Sequence, residues 1–247
     1  MRVRELLRRN SGTGAVSSES LENSYGNLAR NKWQHTLFTK FYKVYVLSQI
    51  MDYGNRKIAG SLLFVGGVQC ILGIIVAEAL YPGYSTSQNY ISDLGVGPSA
   101  LIFNLSLFIL GVFGIVGAYF VQREFKSKPF SALLAIAGIG AVGVGLFTED
   151  AGIIHAFFSM IVFTFAGMSA ILSCKFEKKP LSYFAIVMGA ATLITLVLFA
   201  SGIYLGLGKG GMERMIAYPA LLWLIGFGAH LIGDSQDLST TGKSSLS

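Results

Sequence analysis

The sequence predicts an all-α, polytopic membrane protein, a six-transmembrane-helix bundle with both termini in the cytoplasm. Three observations predict this class. Hydrophobic residues make up 53% of the 247 residues and charged residues only 13%, which is too apolar for a soluble domain of this length. The apolar residues form long runs, each about the length of helix that crosses a bilayer. The lysines and arginines are confined almost entirely to one set of connections between these runs.

Residues 1–50 precede the first apolar run and form a basic N-terminal extension. MRVRELLRRN lacks the apolar stretch of a signal peptide, and SGTGAVSSESLENSYGN is typical of disorder. From Phe38, FTKFYKVYVLSQI is aromatic and basic enough to lie at a membrane surface, with an unstructured basic tail as the alternative. A further alternative is that Met51 is the natural start and residues 1–50 lie upstream of it.

Residues 51–234 form the predicted transmembrane domain, and residues 235–247 a disordered cytoplasmic tail. The third run is the shortest and is rich in glycine and alanine, which let helices approach closely. We therefore expect the third helix to pack centrally, and a glycine-lined cavity is the alternative. The six predicted spans are Ile58 to Leu80, Ala100 to Val121, Ser131 to Phe147, Ile153 to Cys174, Leu181 to Leu205 and Met215 to Gly233.

Orientation follows from the basic residues. Of the 19 lysines and arginines, all except Lys209 and Arg214 fall before the first span, after the second, after the fourth or in the tail. Basic residues stay on the cytoplasmic side of a membrane, so both termini are predicted to be cytoplasmic and the protein to lie in the cell membrane.

Several classes are excluded by the same pattern. The formal charge of +6 reflects the cytoplasmic loops and does not indicate nucleic-acid binding. No lysine falls inside a predicted span, which excludes a retinal Schiff base. His155 and His230 belong to opposite ends of their spans and therefore do not ligate one haem or zinc. Cys70 and Cys174 form no CxxC motif and lie at different depths, so we expect neither a disulfide nor a metal site from them.

The candidate site is formed by three connections on the predicted outer face: YPGYSTSQNYISDLGVGPS (Tyr81 to Ser99), FTEDAGIIH after the third span, and GLGKGGMERMIAYP before the sixth. Adjacent helices of a bundle bring such connections close together. The candidate side chains are Glu78, Tyr84, Ser85, Asn89, Ser92, Asp93, Glu149, Asp150, His155, Ser159, Glu213, Arg214 and Tyr218.

Each candidate also has a structural interpretation. Asp150 and Glu213 stand close to predicted helix starts, where a carboxylate caps free amides and offsets the helix dipole. Glu78 lies inside an apolar span, where an ionised group is usually paired or functional, and Arg214 is its expected partner. Ser92 and Asp93 are also typical of a turn.

The same residues support chemistry. Asp93, Glu149, Asp150 and His155 are the catalytic candidates, and Glu149, Asp150 and His155 are candidate ligands for a divalent cation, although their spacing matches no known metal motif. The sequence itself requires no cofactor.

The motifs YPGYSTSQNYISDLGVGP, FTEDAGIIHAFFSMIVF and GMERMIAYPALLWLIGFGAHL together resemble the prokaryotic membrane-protein family called domain of unknown function family 998, over roughly Lys57 to Gly233. This resemblance implies a helical membrane fold and no established activity. The set Ser92, Asp93 and His155 is also similar to part of the site of membrane-embedded hydrolases such as alkaline ceramidases. Those enzymes need three histidines where this face has one, so no catalytic role is carried over.

Three functions remain open at this stage. The first is a non-catalytic membrane protein whose outer pocket binds a lipid headgroup, an ion or a partner subunit, with Arg214 on a phosphate and Tyr81, Tyr84, Tyr90 and Tyr218 at the membrane interface. The second is a metal-dependent lipid hydrolase or transferase. The third is a small-solute or ion transporter. The argument against it is that Glu78 is the only acid predicted within the outer half of a span, so no polar relay continues inward. The expected partners are membrane lipids and a partner subunit or second copy.

Overall fold

The computed structural model describes residues 54–244, and every regular element in that range is helical. Six of these helices are long and apolar enough to cross a membrane, which confirms the predicted fold class for this part of the chain. The predictions for residues 1–50 and for a start at Met51 lie outside the described residues. The helices are α1 (Gly54–Leu80), α2 (Ala100–Phe125), α3 (Lys128–Leu146), α4 (Ile153–Ser173), α5 (Leu181–Ala200) and α6 (Gly208–Ser244), with short 3₁₀ helices at Ser92–Gly95 and Glu149–Ala151.

The helices pack in chain order into a closed ring. From α2 onward each helix contacts the next, and α4 also contacts α6. The ring closes between α1 and α6, where a Cβ on Gly60 would lie 2.7 Å from the carbonyl oxygen of Gly228. Only glycine at both positions allows the two backbones to approach this closely, which is how helices associate without a hydrophobic drive.

Helix α3 is one of the two most enclosed spans. Half of its most apolar window is buried, against 22% for α4 and for α5. A Cβ on Gly138 would lie 2.8 Å from the carbonyl oxygen of Gly111 on α2, so the small residues of α3 allow the expected close packing, but α3 is a member of the ring between α2 and α4 and not its centre. The alternative that we drew from the same residues is also realised, because Ala137, Gly138 and Ala141 line a central cavity.

The predicted ends of α5 and α6 differ most from the structure. Helix α5 ends at Ala200 instead of Leu205, because Gly202 adopts a left-handed conformation (φ 72°) and turns the chain. Helix α6 begins at Gly208, seven residues before the predicted Met215. Apolarity alone excluded Glu213 and Arg214 from the span, but both lie inside the helix and both have partners, described below. The helix also continues to Ser244, over residues that we assigned to a tail.

We call the two ends of the bundle the polar end, which holds the connections 81–99, 147–152 and 201–207, and the basic end, which holds the opposite connections. At the basic end Arg56 pairs with Glu124 (2.8 Å) and with Asp234 (3.2 Å), and Lys178 pairs with Asp234 (3.0 Å). This network joins the ends of α1, α2 and α6. His230 also lies at this end, with Nε2 3.7 Å from Asp234. By the predicted orientation the polar end is the outer one.

Candidate functional site

The connection 81–99 folds down onto the first turns of α6. The backbone N–H of Gly210 donates to the carbonyl oxygen of Ser87 (3.0 Å), and a Cβ on Gly210 would lie 1.9 Å from the carbonyl oxygen of Asn89. Gly208, at φ 75°, would bring a Cβ within 2.2 Å of Ser87. The glycines of the GKGG motif are therefore what lets this loop lie directly on the helix.

Arg214 anchors the same loop. Its Nη2 donates to the Glu78 carboxylate and to the Tyr84 hydroxyl (2.8 Å), and its Nη1 donates to the carbonyl oxygens of Thr86 and Gly210 (both 2.9 Å). The side chain is 8% exposed. The Glu78–Arg214 ion pair, which we gave as the structural interpretation of both residues, is thus present, and it ties α1 to α6 across the loop.

A pair of carboxyl groups joins the two 3₁₀ helices. Asp93 Oδ2 accepts from Asn89 Nδ2 and from the backbone N–H of Tyr90, both at 2.9 Å. Burial alone would raise the pKa of Asp93, but hydrogen bonds from the Glu149 carboxyl, Asn89 and the Tyr90 amide outweigh it and lower this pKa. Asp93 is therefore the ionised member of the pair.

Glu149 is the protonated member. Burial and the adjacent Asp93 raise the pKa of Glu149 to about 7. The Glu149 Oε2 atom is buried and accepts no hydrogen bond within the described part of the chain. If Glu149 carries a proton, this oxygen donates it to the Asp93 carboxylate and so gains a hydrogen-bond partner. Two close carboxyl groups commonly share one proton in this way.

Glu213 is a third carboxyl group beside this pair. Its Oε2 accepts from the backbone N–H of Ile91 at 2.6 Å. The prediction that Glu213 caps the start of the sixth span is wrong, because α6 begins at Gly208 and Glu213 lies beyond its first turn. It instead satisfies an amide at the start of the Ser92–Gly95 3₁₀ helix and so holds that turn against α6.

His155 lies in the first turn of α4 and is 8% exposed. Its Nδ1 is 2.8 Å from the carbonyl oxygen of Phe147. A carbonyl only accepts, so Nδ1 carries the proton and Nε2 of the neutral ring keeps a lone pair. Nε2 has no hydrogen-bond partner among the described residues, and the ring lines both of the cavities that follow.

Two cavities meet at a polar neck. The central cavity, of about 110 Å³, runs inside the helix ring and is lined almost wholly by apolar groups, with Trp223 and Leu134 toward the basic end. The outer cavity, of about 320 Å³, lies between α4, α5 and α6 at the polar end. The residues that line both cavities define the neck: Ser92, His155, Ser159, Phe163 and Glu213.

The outer cavity opens on the side of the bundle. Its rim includes Ala156 and Met160 on α4 and Phe199 and Ala200 on α5, and Met160 is 48% exposed. Met160 lies seven residues into α4, roughly 10 Å below the start of the helix at 1.5 Å per residue. This side of the cavity lies within the apolar span of α4, while Tyr90 and Glu149 line the cavity at the polar end.

The sequence candidates thus separate into two groups. Glu78, Tyr84 and Arg214 form the anchor of the loop, and Tyr218 lies against it. Ser92, Asp93, Glu149, His155, Ser159 and Glu213 lie at or beside the neck, while Ser85 and Asn89 brace the loop, since the Ser85 N–H donates to Asn89 Oδ1 at 3.1 Å.

Asp150 joins neither group. It is exposed, and the first turn of α4 has no side-chain cap, so the capping interpretation of Asp150 is wrong. The proposed ligand set Glu149, Asp150 and His155 does not assemble, and no group of three histidine, cysteine or acidic side chains among the described residues is placed to hold a metal ion.

Two features of the site were not the preferred sequence interpretation or were not foreseen at all. The central cavity has a signal in the small residues of α3, which we interpreted chiefly as helix packing. The second is Lys209, whose Nζ lies 4.2 Å from the centre of the Tyr90 ring at the rim of the outer cavity. Aromatic residues of the loop were assigned to the membrane interface, and nothing in the sequence indicated this cation–π contact.

The fold and the cavities define a multi-pass integral membrane protein with a polar site at one end of its bundle. The family described as "Protein of unknown function (DUF998)" matches residues 64–230, and the chain belongs to that family. The match covers more than half of the chain and confirms the resemblance drawn from the three motifs. No curated protein and no solved structure matches the chain.

Proposed function

We propose that this protein binds an amphiphile of the surrounding membrane, with the apolar chain in the central cavity and the polar head at the neck. The observation that carries the proposal is the junction of the two cavities at Ser92, His155, Ser159 and Glu213. An apolar pocket with a few convergent polar groups is the usual form of a small-molecule site.

The shape of the central cavity supports a chain as its occupant. Along α6 its lining extends from Glu213 to Leu224, a rise of roughly 16 Å at 1.5 Å per residue. The lateral opening between α4 and α5 supports entry from the bilayer. Arg214, which we had assigned to a phosphate, is engaged by Glu78 and Tyr84 and lines neither cavity, so it takes no part in this proposal.

Filling the central cavity tests the proposal. Ala141 is 3% exposed and lines it, whereas Ala132 on the same helix faces outward. We expect the full-length protein, purified in nanodiscs made from cell lipids, to retain an amphiphile that mass spectrometry detects. Ala141→Leu should lose it and Ala132→Leu should keep it. Equal retention by the two variants, or no retained amphiphile in the wild type, would overturn the proposal.

A second candidate function is hydrolysis of the bound amphiphile, and the Asp93–Glu149 pair with the open Nε2 of His155 favours it. The His155 Nε2 lone pair would take a proton from water as the oxygen attacks an acyl carbon, and the Glu149 proton would pass to the leaving oxygen or nitrogen. The acyl bond is cleaved and one water is consumed, and the imidazolium and Glu149 carboxylate then exchange their proton through solvent.

Hydrolysis has its own test, independent of binding. Wild-type protein should release free fatty acid from acyl ester or amide probes near neutral pH, while Glu149→Gln should retain the probe and lose turnover by at least roughly a hundredfold, the range of a general acid. Turnover that is equal in the two proteins would remove the catalytic role of Glu149, and no turnover in either would leave binding alone.

A further inference from the structure

Two polar groups of the neck have no hydrogen-bond partner among the described residues, the Ser159 hydroxyl and Nε2 of His155. The Ser92 hydroxyl bonds Glu149, Asn89 bonds Asp93, and the Ile91 amide bonds Glu213. Nε2 of His155 belongs to the more buried of these two side chains, which is more than nine-tenths buried and lines both cavities. A buried acceptor without a partner is costly and is normally satisfied by water or ligand.

The charged residues around the neck also disfavour an anionic head group. The linings of the two cavities include the acids Glu149 and Glu213 and no lysine or arginine. Lys209 does not line either cavity, and its charge is engaged by the Tyr90 ring and by Asp93. An anionic head at the neck would meet carboxyl groups and no cation to balance it.

A ligand drawn from lipid gains little from its chain. Bilayer tails are as apolar as the leucines and phenylalanines of the cavity, so moving a chain between them has almost no hydrophobic drive. Selectivity must then come from the polar groups at the neck. We therefore expect the neck to select a head group that supplies the missing hydrogen bond.

We infer that the ligand is a single-chain amphiphile whose head is a hydrogen-bond donor, a hydroxyl or an ammonium group, that donates to Nε2 of His155. This inference rests on the proposed binding function and specifies its ligand class. The imidazole lone pair accepts from either head, and the negative charge that the Asp93–Glu149 pair carries on Asp93 favours the cationic one. Ethers lack the donor, and sulfate or phosphate esters bring the wrong charge.

Trp223 lines the central cavity and supplies a reporter. Of the two tryptophans, the other is Trp33, so the full-length Trp33→Phe protein in nanodiscs reports on Trp223 alone. The probes are four twelve-carbon chains brominated at the far end, because bromine quenches tryptophan: an alcohol, its methyl ether, an amine and a sulfate ester. Alcohol against ether tests the donor, and amine against sulfate tests the charge.

We expect the alcohol and the amine to quench Trp223 at mole fractions at least about tenfold lower than the ether and the sulfate, the value of one good hydrogen bond. His155→Phe should erase the advantage of alcohol over ether. His230→Phe, at the basic end and outside both cavities, should preserve it. If His155→Phe does not fold, Asp93→Asn should still weaken the amine more than the alcohol, because it removes the charge of the carboxyl pair.

The outcomes separate the two proposals. Equal quenching by all four probes that Ala141→Leu abolishes would refute the donor-head inference and leave amphiphile binding intact. Stronger quenching by the sulfate would refute the inference in the same way. Quenching that Ala141→Leu does not change would refute amphiphile binding in the central cavity, and the donor-head inference with it.

Discussion

Removing the guanidinium of Arg214 should release the 81–99 connection from the bundle. Arg214→Met keeps the length of the side chain and removes four hydrogen bonds, to Glu78, Tyr84, Thr86 and Gly210. Breaking a buried ion pair by deleting one partner costs about 3–5 kcal/mol, because the other charge is left uncompensated. The Glu78 side chain is 21% exposed and regains some solvation, so we expect a loss of about 3 kcal/mol.

Thermal unfolding in detergent measures this loss. For a chain of this size each kcal/mol moves the midpoint by about 2–4 °C, so Arg214→Met should lower Tm by roughly 6–12 °C. Hydrogen exchange should rise in residues 81–99 and stay unchanged in α2 and α3. Glu78→Gln in the Arg214→Met background should restore part of the stability, because it removes the unpaired charge.

Arg123 supplies the control. Within residues 54–244 it bonds only the exposed Tyr119 one turn away, so Arg123→Met should change the free energy of unfolding by less than about 0.5 kcal/mol. A loss below about 1 kcal/mol in Arg214→Met, or uniform exchange across the bundle, would show that the ion pair does not anchor the loop.

Three further predictions follow from the same end of the bundle. The pKa of Glu149 is raised from 4.5 to about 7, so the protonated group stabilises the fold fully below pH 4.5, and this stabilisation is lost as the pH rises through 7. Discounted for the partial exposure of Glu149, the free energy of unfolding from thermal scans should fall by about 1 kcal/mol between pH 5 and pH 8. Glu149→Gln should make the free energy of unfolding depend less on pH over this range. Gly210→Ala places a methyl group against the Asn89 carbonyl and should destabilise by about 1–3 kcal/mol, whereas Gly226→Ala on the same helix, with Leu181 4.0 Å away, should be neutral in the same scans. In intact cells an impermeant maleimide should modify a cysteine at Thr148 and not one at Lys126; the reverse pattern would invert the predicted orientation.

Helix number and type could be predicted because each span must satisfy its backbone internally, so length and apolarity suffice. Apolarity could not predict the helix ends that depend on backbone conformation or on an ion pair. Ile203 and Leu205 look like span residues, but the left-handed Gly202 ends α5 before them. Arg214 looks like a loop residue, but the ion pair with Glu78 makes it tolerable inside α6.

The residues of the site could be named from the sequence, but their partners could not. Asp93 comes from the connection 81–99, whereas Glu149 and His155 come from FTEDAGIIH, and only the ring of helices decides that Asp93 meets Glu149 while Asp150 remains exposed. The tautomer of His155 depends on a single carbonyl, that of Phe147, whose position is set by the end of α3. Tertiary contacts of this kind leave no signature in a local sequence pattern.

The acidic character of the neck agrees with the predicted topology. The rule that retains lysine and arginine on the cytoplasmic side leaves carboxyl groups as the main charges of the predicted outer face. The only two basic residues predicted there are Lys209 and Arg214, and the structure engages them against Tyr90 and Glu78. A pocket formed on that face is therefore rich in hydrogen-bond acceptors and poor in free cations. A head group that donates hydrogen bonds fits such a pocket, because it needs no lysine or arginine to balance its charge. Placing an arginine at Ser159 should reverse the head-group preference toward sulfate, because it would add the one charge that this topology keeps away from the neck.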